Sequence, residues 1–189
     1  MPGIMKSERG PSIRLPSGEH FFPFDPRPDE IDLVDIAHIL CQTRRWNGAC
    51  KRFYSVAEHS MLVADAVPPE HRLQALLHDA PEALTGFGDV PTPIKRMTSF
   101  VTDMENRIWQ VICEKFDLPY EMHTSVKWAD KAIAALEVRD LTDWADKPEV
   151  HDSIRGMRAD GMAPVIAGRD FLISVNNELA ARENLRAAQ

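Results

Sequence analysis

The chain has 189 residues, 44% of them hydrophobic and 27% charged, and 29 acidic residues outweigh 22 basic ones to give a net charge of −7. That length suits one domain with its own core, and the composition is ordinary for a soluble globular protein. The acidic balance argues against a nucleic-acid-binding surface, which needs broad positive potential, and no run of about twenty apolar residues offers a membrane span. The opening MPGIMKSERGPSIR lacks the apolar centre of a signal peptide. Cys41, Cys50 and Cys113 are odd in number and form no C-x-x-C pair. Neither a disulfide framework nor a cysteine zinc site is expected, and the expected setting is the reducing cytoplasm (the host's, if the chain is viral).

Residues 11–28 are rich in Pro, Gly and Phe, and IRLPSGEHFFPF reads as two short strands around a Ser17-Gly18 turn. A helix is predicted from about Asp32, with Leu33, Ile36, Ile39 and Leu40 on one face and His38 packed or supporting the site. Ser55-Val56-Ala57-Glu58 has the S-x-x-E form of a capping box, so the next helix starts at Ser55 and runs to about Val67, where Pro68-Pro69 stop it. Helical periodicity resumes over 70–84 through Leu73, Leu76, Leu77, Ala80 and Leu84. Residues 85–97 (TGFGDVPTPIKRM) read as a loop. Phe100, Met104, Ile108, Val111 and Phe116 mark a helix over Thr98–Phe116, and another runs from about Ser125 to Trp144. A loose stretch containing Gly156, Gly161, Pro164 and Gly168 precedes a last helix over 169–184. The expected architecture is all-α with a short N-terminal β-hairpin: an extension over 1–29 and a helical domain over 30–189, a single globular unit overall.

Four side chains on these helices suit a divalent metal. His59 shares a stripe with Val56 and Val63, and Asp130 shares one with Val126 and Ile133, so both are expected to face inward. His78 and Asp79, in LLHDAPEAL, are neighbours able to flank one ion at the edge of a buried face. A carboxylate among apolar neighbours is costly unless it is paired or metal-bound. Any one of these residues alone would pass as a packed histidine or a capped aspartate. Two imidazoles and two carboxylates together form a mixed nitrogen and oxygen set, for which Zn²⁺, Co²⁺, Mn²⁺ and Fe²⁺ all qualify.

The order His59, His78-Asp79, Asp130 resembles the HD superfamily of metal-dependent phosphohydrolases. RRW, SVAEHS, LLHDAPEALTG, GDVPTPIK and WADK, over about residues 30–140, resemble the bacterial 5′-deoxynucleotidases and phage dATP triphosphohydrolases of that superfamily. The resemblance implies a helical fold, hydrolysis of a nucleotide phosphoester, and His59, His78, Asp79 and Asp130 as metal ligands. It also implies proton handling by Glu82, which projects from the same side of a helix as the pair, and an assisting role for Asp89. Pro81 removes a backbone hydrogen bond beside the pair and is expected to kink the helix.

The cationic segment RRWNGACKR, residues 44–52, is the expected substrate contact. Arg45 would clamp phosphate, Trp46 would offer a flat face to the base, and Lys95 is a second phosphate candidate. Glu137, seven residues after Asp130, is expected to pair with a basic side chain near the site. TGFGDVPTP carries Phe87 and Gly88 beyond the T-G-D-x-P-T-P of the cellular deoxynucleotidases and is similar to the phage enzymes, whose loop closes over the purine. Pro91 would then select among purines by steric exclusion. The leading expectation is a dATP triphosphohydrolase releasing deoxyadenosine and triphosphate, working on a small-molecule deoxynucleotide and, by the family's habit, as a homo-oligomer. The alternatives are a 5′-deoxynucleotidase acting on monophosphates and a nucleotide-binding regulator without turnover. Residues 145–168 carry no functional reading.

Overall fold

A computed structural model describes residues 8–188. The first seven residues, part of the extension expected over 1–29 and of the segment read for a signal peptide, lie outside the described residues, as does Gln189. The protein is all-α with a short hairpin near its N-terminus. Strand β1 (Ile13–Arg14) pairs antiparallel with β2 (His20–Phe21), Ile13 opposite Phe21. Gly18 turns the chain at φ 92°, a conformation that a side chain would disfavour. The turn is pinned from outside: Ser17 donates its N–H and its hydroxyl to the two oxygens of Asp35, at 2.8 and 2.7 Å.

Helix α1 (Leu33–Gln42) starts where expected, its first amides capped by Asp32. Ile36, Ala37, Leu40 and Cys41 are buried on its inner face, with Leu33 and Ile39 on the flank. His38 is exposed rather than packed, because two residues beyond Ile36 is about 200° around the helix. Helix α2 (Val56–Asp65) is capped by Ser55, which accepts from Glu58 N–H. The reciprocal half of the capping box does not form. The Glu58 carboxylate instead accepts from the backbone amides of Asp160, Gly161 and Met162 at 3.0, 2.9 and 2.6 Å. Residues 160–162, read from sequence only as a loose stretch, are thereby tied to the start of α2.

The single helix expected over 70–84 is two: α3 (Arg72–Leu77) and α4 (Ala80–Thr85). Pro81 occupies the first turn of α4, where its missing N–H is no loss. Asp79 leaves helical geometry at φ −99°, ψ 6°, and its carbonyl accepts from Glu82 N–H. His78 and Asp79 therefore sit at a joint, not on the face of a continuous helix. The loop after α4 contains a short helix, α5 (Thr92–Lys95).

Helix α6 (Ser99–Phe116) matches expectation, although Phe100 is exposed and not part of its buried stripe. Helix α7 (Thr124–Leu141) ends three residues before Trp144, where Thr142 turns extended. Helix α8 (Pro164–Ala187) begins five residues earlier than expected and ends three later. Pro164 opens that helix rather than preceding it. Gly168 lies inside it, at a position where a Cβ would stand 2.9 Å from Cys41 Sγ on α1.

Helix α2 is the hub, packed on α1, α3, α7 and α8, while α4 packs on α1 and α6. The core runs from Leu15 and Phe21 of the hairpin region through Ile36, Leu76, Ile108 and Ile133 to Phe171. Cys41, Cys50 and Cys113 are free thiols. No helix among the described residues is long and apolar enough to cross a membrane.

Candidate metal centre and its cleft

Three elements meet around the joint between α3 and α4. From α2, His59 is fully buried; from the joint come His78 and Asp79; from α7 comes Asp130. One ligand atom each from His59, His78 and Asp79 falls within 4.8 Å of the others. Asp130 stands outside that mutual set but close by, its Oδ1 3.2 Å from His59 Nε2 and 4.0 Å from His78 Nε2. Its side chain is 43% exposed, more open than its apolar stripe with Val126 and Ile133 suggested.

The two imidazoles are oriented by their other nitrogens. His59 Nδ1 lies 2.6 Å from Glu137 Oε1, and His78 Nδ1 lies 2.7 Å from the Ala75 carbonyl. With Nδ1 engaged by an acceptor, Nε2 is the atom turned toward the carboxylates. Both Nε2 atoms are buried and have no hydrogen-bond partner. Buried polar atoms left unpaired are rare and need a reason. An imidazole fixed through Nδ1 with a free Nε2 aimed at carboxylates is how histidine is prepared for a metal. The donor set fits a divalent cation.

The electrostatics follow from crowding. Burial disfavours charge on His78, but the adjacent Asp79 carboxylate outweighs it, with Asp130 adding, and pushes the imidazole up to about 9. Burial also opposes charge on Asp79, yet His78, His59 and Arg45 hold it well below the usual carboxylate range. Glu82 is pushed up to about 9 by burial and by the charges of Asp79 and Asp89, which Lys95 only partly offsets. Burial raises Asp89 as well, against the pull of Arg45.

Of the four cations in segment 44–52, only Arg45 reaches the site, with Trp46 and Asn47 beside it in the cleft lining. Arg44 stacks over Phe53, Lys51 pairs with Asp143, and Arg52 donates to the Ala159 carbonyl. Trp46 and Asn47 take left-handed backbone angles, φ 56° and 50°, and the Arg44–Ser55 bridge closes the loop. Arg45 faces Glu137 at 3.2 Å, Asp89 at 3.7 Å and Asp79 at 3.8 Å. The Trp46 indole donates to Glu137 at 2.8 Å and its ring meets Trp144 edge-on at 5.5 Å. Glu137 thus joins Arg45, Trp46 and His59. Against the cost of its burial, Arg45 and His59 keep it below the usual carboxylate range.

A cleft of about 590 Å³ opens on this surface, with Arg45, Trp46, Asp79, Glu82, Asp89, Pro91, Lys95 and Asp130 in its lining. The expected catalytic, substrate-binding and metal-binding residues all border it except His59 and His78. Lys95 is held between Glu82, at 3.0 Å, and Glu105, at 2.7 Å. Glu105 was not singled out in the sequence. Its one signal is position, four residues after Val101 and three before Ile108, on the buried stripe of α6.

The fold and site define a helical protein with a His59-His78-Asp79 cluster beside a cleft lined by both acids and bases. No family model matches the chain. It is 43% identical over 129 residues to the uncharacterized protein YfdR of Escherichia coli, covering 68% of this chain and 71% of that one. It is 36% identical over 136 residues to an uncharacterized protein of Rhodobacter capsulatus, covering 67% and 68%. The chain belongs to the family of these two proteins.

Proposed function

We propose that the protein is a metal-dependent deoxynucleotide phosphohydrolase of the HD type, acting on dATP to release deoxyadenosine and triphosphate. The observation that carries this reading is the pair of buried, unpartnered Nε2 atoms of His59 and His78 facing Asp79 and Asp130. Those four residues would hold the ion. A divalent cation bound there lowers the pKa of water and neutralises charge on a phosphoryl group.

The protein's own residues supply the rest. Arg45, already facing the acids at 3.7–3.8 Å, exchanges part of that pairing for phosphate oxygens, which its planar fork suits. Trp46, with its N–H committed to Glu137, keeps a ring face for the base. Burial and the charges of Asp79 and Asp89 push Glu82 up to about 9, which favours its protonated form, and its Oε2 is buried without a partner. As water adds to the α-phosphorus and the bond to the 5′ oxygen breaks, Glu82 donates that proton to the leaving oxygen. The proton lost by the water restores the acid. Pro91, exposed at the lip of the cleft, borders the space for the purine.

Product analysis tests the proposal. Protein loaded with Mn²⁺ or Co²⁺ is incubated separately with dATP and dAMP, and products are resolved by ion-exchange chromatography. Deoxyadenosine with inorganic triphosphate from dATP is expected, and Asp79→Ala is expected to lose both metal and turnover. Phosphate from dAMP alone would replace the reading with a 5′-deoxynucleotidase. Binding without any turnover would replace it with a regulatory domain.

A further inference from the structure

An apolar stripe leaves the core at the start of α6. Phe100 lies four residues before Met104, on the same side of the helix, yet Met104 is buried and Phe100 is 49% exposed. Two other exposed rings meet it. Phe24, from the chain just after β2, stands 6.0 Å away between ring centroids, and Phe87, from the loop after α4, stands 6.1 Å away. Phe24 is 40% exposed and Phe87 52%. The short helix α5 adds Ile94, 56% exposed. Three residues on comes Met97, 83% exposed and itself three residues before Phe100. None of these five side chains lines the cleft, so a ligand bound there does not account for them.

Scattered exposed apolar residues are ordinary, but a contiguous group of this size is not. At about 200 Å² for a whole residue of this bulk, the five expose roughly 500 Å² together. A homodimer interface of standard size covers about 800 Å² on each copy, about 65% of it apolar. The patch therefore has nearly all the apolar area that one copy must bring. Its border points to the same occupant. Arg96 precedes Met97, while Asp103 and Arg107 follow Phe100 on α6. All three are exposed, and none has an ion pair among the described residues. A rim of one sign would suit a partner of the opposite charge. Both signs on one patch suit a second copy related by a two-fold axis, where the basic rim of each chain can face the acid of the other.

We propose that Phe24, Phe87, Ile94, Met97 and Phe100 form the centre of an isologous interface between two copies of this chain. The assignment goes beyond the phosphohydrolase reading and does not depend on it. It joins the copies through the segment that carries Asp89, Pro91 and Lys95 to the cleft.

Sedimentation velocity of the full chain, from about 1 to about 100 µM, tests it, and a dimer is expected within that range. Met97→Glu and Phe100→Glu are each expected to weaken the dimer at least about tenfold, because each would bury an unpaired carboxylate at the centre of the contact. Val165→Glu makes the same kind of change at a residue 75% exposed in the first turn of α8, and is expected to leave the dimer unchanged. A chain that stays monomeric at the highest concentration overturns the proposal. So does a monomer that floats with phosphatidylcholine vesicles, which would make the patch a lipid contact. A dimer that neither Met97→Glu nor Phe100→Glu weakens, or that Val165→Glu weakens equally, has its interface elsewhere and overturns the proposal too. Circular dichroism of each variant confirms that it is folded before its association is scored.

Discussion

Glu137 Oε1 lies 2.6 Å from His59 Nδ1, both side chains fully buried, while Glu137 Oε2 takes the Trp46 indole N–H and the Arg45 guanidinium. One carboxylate therefore orients a candidate ligand on α2 and two of the loop residues that face the cleft, Arg45 and Trp46. Glu137→Gln keeps the volume but removes the charge that fixes this arrangement. The expected result is a 10- to 100-fold weaker affinity for Mn²⁺ or Co²⁺, an order of magnitude typical for the partner of a metal-bound histidine, measured by titration calorimetry. Glu137→Ala goes further and strands Arg45 without its nearest acid, which costs about 3–5 kcal/mol of folding stability. Unchanged metal affinity in Glu137→Gln would mean that packing alone fixes the His59 ring.

Much of the fold could be read from the chain because its signals are local. The cap at Asp32, the cap at Ser55 and the backbone bonds of the Ser17-Gly18 turn each join residues within four positions of one another. What was not legible depends on distant partners. Glu58 looks like half of a capping box until residues 160–162 arrive with three unpaired amides. Gly168 looks like a loop residue until α1 approaches and requires the absence of a side chain. The candidate site divides in the same way. His59, His78, Asp79 and Asp130 stood out by residue type and stripe, and the structure brings them within a few ångströms of one another. Glu105 sits on an ordinary helical position and acquires interest only from Lys95, which it holds at 2.7 Å. Four cations in one short segment suggested a shared task, but three of them turn to other partners.

Residues 157–159 are held to α7 chiefly through Asp140 and its neighbour Arg139. Asp140 accepts from Arg139 at 2.7 Å, from Ala159 N–H at 3.0 Å and from Arg158 at 3.4 Å, and Arg139 donates to the Met157 carbonyl. Burial opposes the Asp140 charge, but the bond from Arg139 and the Ala159 amide lower its pKa below the ordinary 3.8. A carboxylate with a depressed folded pKa stabilises the fold above its unfolded pKa and loses that stabilisation as pH falls through the folded value. Asp140→Asn is therefore expected to be less stable than wild type at pH 7 by about 2 kcal/mol, the scale of a hydrogen bond to a charged group. The difference should persist to about pH 5 and shrink as the pH passes below 3.8. Urea denaturation of both proteins across pH 3–7 measures it, and a gap that stays constant with pH would remove Asp140 as its source.

Gly161 closes the same segment under a tighter constraint. Its φ is +75°, and a Cβ built on it would stand 2.7 Å from the Phe53 carbonyl oxygen and 2.9 Å from two carbons of the Arg52 side chain. The Arg52 atoms belong to a flexible chain and can move aside, whereas the Phe53 carbonyl is backbone and cannot. Its N–H also donates to Glu58, so the peptide cannot rotate away without giving up that bond. Gly161→Ala combines left-handed strain with a backbone overlap and is expected to cost about 3 kcal/mol. Gly156, whose added Cβ would meet nothing within 4 Å, provides the control, and its alanine variant should stay within about 0.5 kcal/mol of wild type. Thermal unfolding of the two variants separates a steric effect from a general intolerance of this region to substitution. Equal losses at both positions would show that the close approach of Phe53 is not what requires the glycine.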